Sequence, residues 1–282
     1  MKNAFFFSAA LAALTFGAAA QSDQASGKTE VMTPQKLWEL GRVSLDDVSE
    51  NGLALFGITH DDTDANRGNR DLYVGELATG EYNLLAETKA SEYGAFFLRG
   101  GERYGYFSGG QLWLAKVNGA MTELPVILTD VEGGMGDAKV IELNDGRLLV
   151  AFVTRVQSDQ TPAQRHPEAP KANYAVYDDL MYRHWDSWTD YSYNHIAYMV
   201  VDPSKTSATG KYTDIMAGEK AHSPLPPFGG AESFDISPDG RLIVYASKKT
   251  ENGKEFALHT DSKLYLYDRE TGRTSTLHGL PG

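Results

Sequence analysis

A turn that ends in glycine recurs along this chain, and each time a short run of apolar residues follows it. The glycines are Gly52, Gly101, Gly146 and Gly240. They are spaced by about 45 to 50 residues, except that the last interval is about twice as long; such a period, with several strands per repeat, is typical of propeller blades. The sequence therefore predicts an all-β fold, a partial β-propeller of about four to five four-stranded blades.

The clearest copy of the repeat lies near the end of the chain. Asp239-Gly240 supplies the positive φ angle of a tight turn, and Leu242 to Ser247 follows as a strand that is apolar on both faces. Leu264 to Tyr267 is a second run of this kind, closed by the turn residues Thr271-Gly272. This order predicts consecutive antiparallel strands of one blade, with the third strand as the last of the chain.

The doubled interval could hold two blades, one without its turn, or one blade with a long insertion. Three prolines, Pro162, Pro167 and Pro170, lie among polar residues there, and such a stretch cannot form the interior of a sheet. His195 to Asp202 then restores the pattern of an inner strand. We therefore predict one blade with a long insertion between two of its strands.

The N-terminal residues differ in composition from the rest of the chain. A lysine, an apolar stretch and three alanines before Gln21 are typical of a secretory signal peptide. We predict a signal peptide at residues 1–20, a disordered segment at 21–33 and an incomplete β-propeller domain at 34–282. The protein is accordingly expected to be secreted and periplasmic.

A short helix is predicted at the start of the propeller domain. Thr33 has the side chain of a good N-cap, and Pro34 suits the first helical position. The apolar residues Leu37, Trp38 and Leu40 are expected to dock on the strands that follow.

Charge and composition exclude several kinds of partner. The 282 residues carry a net charge of −12 at pH 7 and include no cysteine. Nucleic acid is excluded, because its phosphates require a clustered basic face that this sequence lacks. No stretch after the signal peptide approaches the roughly 20 apolar residues of a membrane span. Without disulfides, stability must come from core packing.

No metal or cofactor site is predicted. The seven histidines show none of the close pairings that bind transition metals. Asp62 begins a stretch that faintly resembles a calcium loop, but Arg67 and Tyr73 stand where such a loop needs glycine and glutamate. We interpret this stretch as a solvated hairpin loop.

An aromatic cluster in the insertion is the predicted place for ligand contact. Arg183, His184 and Asp186 could form a polar network between the apolar walls Trp185 and Trp188. The alternative, which is commoner in proteins, is that the tryptophans pack the blade and that Arg183 and Asp186 form a salt bridge.

Two acidic residues precede the cluster. Asp178 and Asp179 could bind the free amino terminus of a peptide, because a pair of like charges attracts an ammonium group. Capping and surface roles are the commoner alternative for such residues.

Two motifs resemble those of one enzyme family. The segment from Tyr177 to Trp188 resembles the Tyr-Asp pair, Arg-His-Trp-Asp core and second Trp of prolyl oligopeptidase family serine peptidases, in their bacterial dipeptidyl-peptidase 5 and acylaminoacyl-peptidase branch. Phe234 to Gly240 resembles a motif at the start of their blades, which many propellers share. The order of signal peptide, short helix and degenerate blades also matches, so the resemblance covers the whole mature chain.

The resemblance implies a role without catalysis. In that family a propeller covers an α/β-hydrolase domain, which follows it in sequence and carries the Ser, Asp and His of an acyl-enzyme mechanism. This sequence contains no Gly-x-Ser-x-Gly motif, so no catalytic residue is assigned. We expect this chain to be a fragment of a secreted serine exopeptidase that lacks the hydrolase domain. Its expected role is to control the access of short peptides to the active site. The whole enzyme would release dipeptides or acylated residues from these peptides.

Two alternatives remain open at this stage. A stand-alone periplasmic propeller could act as a protein-binding module, since propellers are reused for many functions. The chain could also be an unstable truncation product. The oligomeric state is not predicted.

Overall fold

The computed structural model describes residues 31–117, 124–205, 207–250 and 256–277. The chain divides into two compact units, an N-terminal unit of residues 1–127 and a C-terminal unit of residues 128–282. Each unit contains two four-stranded antiparallel sheets, which are the predicted blades. The predicted signal peptide and residues 21–30 lie outside the described residues.

The N-terminal unit holds one short helix and the first two blades. Its elements are α1 (Pro34–Glu39), β1 (Arg42–Val48), β2 (Leu53–Asp62), β3 (Arg67–Glu76), β4 (Tyr82–Ala86), β5 (Glu92–Phe97), β6 (Arg103–Ser108), β7 (Gln111–Lys116) and β8 (Val126–Ile127). Strands β1 to β4 form blade 1 and β5 to β8 form blade 2, in sequence order. Buried residues of both blades, among them Leu55, Leu72 and Tyr104, form one core.

The C-terminal unit holds the other two blades and the insertion. Its elements are β9 (Gly136–Glu142), β10 (Leu148–Gln157), α2 (Pro162–Arg165), β11 (Arg183–His184), β12 (Ser187–Trp188), β13 (Ser192–Val201), β14 (Thr213–Asp214), a 3-10 turn (Ala231–Ser233), β15 (Phe234–Ile236), β16 (Leu242–Ser247), β17 (Lys263–Asp268) and β18 (Arg273–Leu277). Blade 3 has the strand order β14-β13-β10-β9, and blade 4 the order β15-β16-β17-β18. Leu149, Ile196 and Tyr245 are among the residues of their common core.

The four turn glycines occupy the same place in every blade, between its first and second strands. Gly52, Gly101, Gly146 and Gly240 all have positive φ angles, from 69° to 84°. Each amide donates a hydrogen bond to the carbonyl three residues earlier, at 2.8 to 3.1 Å. A side chain is strained in this conformation, so glycine is favoured wherever the turn recurs. The predicted repeat of four-stranded blades is confirmed.

The insertion also lies where the sequence predicts it. Residues 158–191 leave blade 3 after β10 and return at β13, and these two strands pair along their whole length from Leu148–Val201 to Gln157–Ser192. The doubled interval is therefore one blade with an insertion. The last blade differs from the prediction, because Arg273–Leu277 adds a fourth strand whose residues are all exposed.

The short helix is capped as predicted, and its apolar residues lie at the surface of the unit. The side chain of Thr33 accepts a hydrogen bond from the amide of Lys36 at 3.1 Å, and Pro34 occupies the first turn. Leu37, Trp38 and Leu40 each remain about half exposed, and the helix contains no buried residue. The helix lies against β2, as predicted, although none of these three residues is buried in a core.

The loop that faintly resembles a calcium site is the turn of the β2–β3 hairpin. The carboxylate of Asp62 accepts hydrogen bonds from the amides of Asp64 and Ala65 at 3.0 and 2.9 Å. The predicted hairpin loop is thus confirmed. Within the described ranges, no three His, Cys, Asp or Glu side chains converge as metal ligands, and no helix is long and apolar enough to cross a membrane.

A buried carboxyl group lies at the start of blade 2. Glu92 is fully buried, and its Oε1 accepts hydrogen bonds from the hydroxyls of Thr88 at 2.6 Å and Ser108 at 3.1 Å. Its Oε2 has no hydrogen-bond partner. Burial raises the pKa of Glu92 above its ordinary value of 4.5, although both hydroxyls oppose the shift. Burial therefore shifts Glu92 towards its neutral form relative to a carboxyl group in water.

We expect Glu92→Gln to make the stability of the N-terminal unit less sensitive to a rise in pH. Since the folded-state pKa is raised, the stability that Glu92 contributes is complete below pH 4.5 and is lost as the pH rises through the raised value. The amide keeps the acceptor for Thr88 and Ser108 but cannot ionise. Urea unfolding from pH 4 to pH 8 should show the variant gaining about 1 to 3 kcal/mol on the wild type as the pH rises. Parallel pH profiles would contradict this.

Candidate functional site

The aromatic cluster of the insertion is built on a two-stranded hairpin. β11 pairs with β12 through Arg183–Trp188 and His184–Ser187, so Trp185 and Asp186 form the turn. Trp185 has a positive φ angle of 49°, which is uncommon for a bulky residue. The hairpin stands apart from the blade sheets, because neither of its strands pairs with a strand of blade 3.

Four aromatic rings stack beneath this hairpin. The ring of Tyr177 lies 5.6 Å from Tyr182, 5.8 Å from Trp188 and 5.9 Å from Tyr191, with interplanar angles of 29° or less. Near-parallel rings at these separations stabilise each other beyond the area they bury. The stack holds the hairpin against the end of the insertion without any core residue of blade 3.

The tryptophans do not pack the blade. Trp185 is 68% exposed and Trp188 is 57% exposed. Trp185 contacts the rings of His184 and Phe228 at 5.0 and 5.4 Å, and Phe228 is itself exposed. The packing alternative predicted buried tryptophans and is wrong for Trp185.

The alternative of an Arg183–Asp186 salt bridge also fails. The guanidinium of Arg183 lies over the ring of Trp188, 5.3 Å from its centroid, and Nε donates a hydrogen bond to the carbonyl of Trp185 at 2.5 Å. Asp186 instead accepts a hydrogen bond from the hydroxyl of Ser187 at 3.2 Å. In the described part of the chain, Arg183 forms no ion pair with any carboxylate.

We expect Trp185→Ala to leave the fold nearly unchanged, because the side chain is mostly in solvent already. The free energy of unfolding of the C-terminal unit should fall by less than about 1 kcal/mol. Phe152→Ala, which removes a fully buried ring from β10, is the matched control and should cost about 3 to 5 kcal/mol. Urea denaturation of both variants measures the difference, and equal losses would contradict the exposed position of Trp185.

The hairpin forms one wall of a cleft of about 440 Å³. Most of its lining residues have apolar or aromatic side chains and one is charged: Leu180, Met181, Tyr182, Arg183, Trp185 and Trp188. Clefts that bind small ligands commonly combine apolar walls with a few polar anchors. The structure thus brings together three residues of the predicted site, whereas His184 and Asp186 do not line this cleft.

A second cavity, of about 400 Å³, adjoins the first. Leu180 and Met181 line both. We call this second cavity the acidic cavity, because its lining combines carboxylates with other charged side chains and tyrosine rings. Its polar residues include Asp159, Arg165, Asp178, Asp179, Tyr193, Lys220 and His222. Both cavities belong to the C-terminal unit, so the predicted residues Asp178 and Asp179 lie next to the aromatic cleft.

Two of the three carboxylates in the acidic cavity are paired with cations. Arg165 forms an ion pair with Asp178 at 2.5 Å. Asp159 accepts hydrogen bonds from Lys220 and, at 2.7 Å, from the hydroxyl of Tyr193. Burial opposes the charge of Asp159, but the hydrogen bonds from Lys220 and Tyr193 outweigh it and lower its pKa. Asp179 forms no ion pair with a described residue, so it supplies the unneutralised negative charge.

The floor of the acidic cavity is a neutral histidine. Nδ1 of His222 lies 3.1 Å from the amide of Asn194, and its ring centroid lies 4.9 Å from that of Tyr193. Burial, assisted by the charges of Arg155 and His195, lowers the pKa of His222 to about 4. The ring is therefore uncharged at pH 7, and Asp179 determines the excess charge of the cavity.

Sequence reasoning missed three contributors to the acidic cavity, Asp159, Lys220 and His222. Asp159 lies at the start of the insertion, whereas Lys220 and His222 follow β14. Only the fold brings these segments together, and no local motif marks them.

Comparisons with known proteins show which proteins the chain is similar to. No protein-family model matches the chain. It is 31% identical over 277 residues to dipeptidyl-peptidase 5 of Porphyromonas gingivalis, covering 96% of this chain and 39% of that protein. Dipeptidyl-peptidase 5 of Porphyromonas endodontalis is 26% identical over 264 residues, covering 92% of this chain and 37% of that protein. The chain thus spans less than half the length of these relatives.

Solved structures agree with this at the level of the fold. The acylaminoacyl peptidase of Pyrococcus horikoshii superposes with a TM-score of 0.50 at 13% identity, covering 86% of this chain and 33% of that one. An acylaminoacyl peptidase in complex with Z-Gly-Gly-Phe-chloromethyl ketone gives 0.51 at 10% identity, with the same coverages. Proteins named dipeptidyl-peptidase 5 thus match this chain in sequence over most of its length, and acylaminoacyl peptidases share its fold, which is consistent with a propeller portion of a prolyl oligopeptidase family peptidase.

Proposed function

We propose that this chain is the non-catalytic, substrate-gating part of a secreted, periplasmic serine exopeptidase that releases dipeptides or acylated residues from short peptides. The similarity to dipeptidyl-peptidase 5 over nearly the whole chain carries this proposal. Catalysis then belongs to a C-terminal α/β-hydrolase domain outside this sequence, with a serine nucleophile, a histidine base and an aspartate.

The acidic cavity supports a role in peptide binding. Asp178 and Asp159 are neutralised by Arg165 and by Lys220, which leaves Asp179 to attract a cation. The α-ammonium of a peptide is such a cation, and the cavity offers it the rings of Tyr177 and Tyr193 besides the carboxylate. We place the amino terminus of the peptide here, since a fixed terminus sets where the chain is cut.

Hydrolysis of a peptide series tests the proposal. The complete protein encoded by the reading frame is assayed on peptides that share an N-terminal sequence and increase in length, together with a denatured protein substrate. We expect dipeptide or acyl-residue release with a kcat/KM that falls as the substrate lengthens, because the propeller restricts access. Equal rates on short peptides and on the denatured protein would contradict gating. No hydrolysis of any peptide would contradict the peptidase assignment.

Acetylation of the amino terminus separates the two proposed specificities. An acetylated series cannot present an ammonium group to Asp179. Faster cleavage of the free peptides would assign dipeptide release, whereas faster cleavage of the acetylated ones would assign release of acylated residues and remove the ammonium role of Asp179.

A further inference from the structure

The guanidinium of Arg183 is fixed by its own hairpin. It lies over the ring of Trp188 at 5.3 Å, and Nε is used in the hydrogen bond to the carbonyl of Trp185. These two contacts restrain the plane of the group, while its two terminal nitrogens make no hydrogen bond to any residue that the structure describes. A guanidinium held in this way presents a fork of donors suited to a carboxylate.

Arg183 differs in this respect from the cations of the neighbouring acidic cavity. Arg165 and Lys220 each bind an aspartate there. Across the two cavities, and among the residues the structure describes, Arg183 is the cation that lacks a carboxylate partner. The aromatic cleft therefore carries a positive charge beside the excess negative charge of Asp179.

The other side chains that line the aromatic cleft are aliphatic or aromatic. Trp185 and Trp188 expose large ring surfaces, and Leu180 and Met181 complete the wall. An occupant that complements this cleft has an apolar side chain for the rings and a carboxylate for the fork. The C-terminal residue of a peptide combines both groups when its side chain is apolar.

We propose that the aromatic cleft binds the free α-carboxylate of a peptide whose C-terminal residue is apolar, with Arg183 as the anion-binding group. This inference rests on the proposed function in taking a peptide as the ligand. Because Leu180 and Met181 separate the cleft from the acidic cavity, Asp179 and Arg183 would bind opposite ends of one short peptide. Recognition of both ends selects short peptides, because a long chain cannot place its two termini in neighbouring cavities at the same time.

Binding of blocked amino acids tests this without any hydrolysis. The probes are N-acetylphenylalanine, which has the carboxylate, and N-acetylphenylalaninamide, which has the same ring and no charge. Titration into the chain, followed by tryptophan fluorescence and by calorimetry, should give saturable binding of the acid. We expect the amide to bind at least about tenfold more weakly, since a charge-assisted hydrogen bond is lost.

Three variants assign the effect to Arg183. Arg183→Met should remove the preference for the acid, while Arg183→Lys should keep part of it, because lysine retains the charge without the planar fork. Arg147→Met is the matched control, since Arg147 lies on the distant β9–β10 turn and pairs with Asp145. Thermal melting establishes that each variant is folded.

Three results would overturn the inference: no saturable binding of the acid at millimolar concentration, equal binding of acid and amide, or an unchanged preference in Arg183→Met. The proposed function has a different readout. If it is wrong, the peptide series is not hydrolysed, whereas N-acetylphenylalanine still binds.

Discussion

Replacing His195 with leucine is expected to lower the free energy of unfolding of the C-terminal unit by about 3 to 5 kcal/mol, the usual effect of leaving a buried carboxylate without its partner. His195 is fully buried in β13. Nδ1 lies 2.8 Å from a carboxylate oxygen of Asp214, and Nε2 lies 3.1 Å from the carbonyl of Glu219. Each ring nitrogen of His195 thus lies beside an acceptor oxygen.

The loss of stability extends beyond His195, because its partners Asp214 and Glu219 also hold the segment that follows β14. The second oxygen of Asp214 accepts a hydrogen bond from the amide of Met216 at 2.8 Å. Met216 begins the segment that continues to His222. Leucine leaves the Asp214 carboxylate facing an apolar side chain, and the carbonyl of Glu219 loses its contact with the ring of His195. We therefore expect the floor of the acidic cavity to loosen together with the global loss of stability.

Urea denaturation measures this effect, and an exposed histidine provides the control. His166 contacts Glu168 at 3.1 Å with nearly half of its side chain in solvent, so His166→Leu should leave the melting temperature unchanged. A loss below about 1 kcal/mol for His195→Leu would contradict the structural role of the buried pair.

Arg70→Met is expected to destabilise the N-terminal unit by about 3 kcal/mol or more at pH 7. Arg70, on β3, donates hydrogen bonds to the hydroxyl of Ser44 at 2.9 Å, to the carboxylate of Asp46 at 2.9 Å and to the carbonyl of Glu92 at 2.6 Å. It thus connects the first strand of its own blade with the first strand of blade 2. Methionine keeps much of the volume but none of these donors.

The side chain crosses its sheet over Gly57. A Cβ atom at that position would lie 2.0 Å from Cζ of Arg70, closer than any two such atoms approach. Glycine is therefore required within β2 so that the guanidinium can reach Ser44 and Asp46. This explains an otherwise costly residue in the middle of a strand.

The loss in Arg70→Met should depend on pH. Burial already raises the pKa of Asp46, and Arg70 opposes that shift. Without the cation the charged form is penalised further, so the variant should lose more stability at pH 7 than near the ordinary value of 3.8. Asp46→Asn in the same chain should restore part of the loss. A pH-independent loss without rescue would show that packing, and not charge, dominates.

Local chemistry explains what the sequence could predict of the fold. A positive φ angle at Gly52 or Gly240 is a property of the turn itself. The recurring sequence pattern therefore predicts the four equivalent turns and the strands beside them. The prolines of the insertion likewise exclude a sheet. The last strand, β18, was missed because Arg273–Leu277 is exposed throughout and has no apolar face.

The candidate site was harder to predict because it depends on contacts far apart in sequence. Asp159 and Lys220 are 61 residues apart and meet only in the folded unit. Trp185 belongs to a type of residue that is usually buried, but its hairpin stands outside the sheets and leaves it in solvent. Arg183 contacts Trp188 instead of Asp186 because both residues face each other across the hairpin register.

Sequencing the coding DNA downstream of Gly282 tests most directly whether the chain is the propeller portion of a serine peptidase. We expect the reading frame to continue through further blades and into a Gly-x-Ser-x-Gly motif at a strand-to-helix turn, followed by an aspartate and a histidine. A stop codon directly after Gly282 would contradict the peptidase assignment and favour the alternative of a protein-binding module.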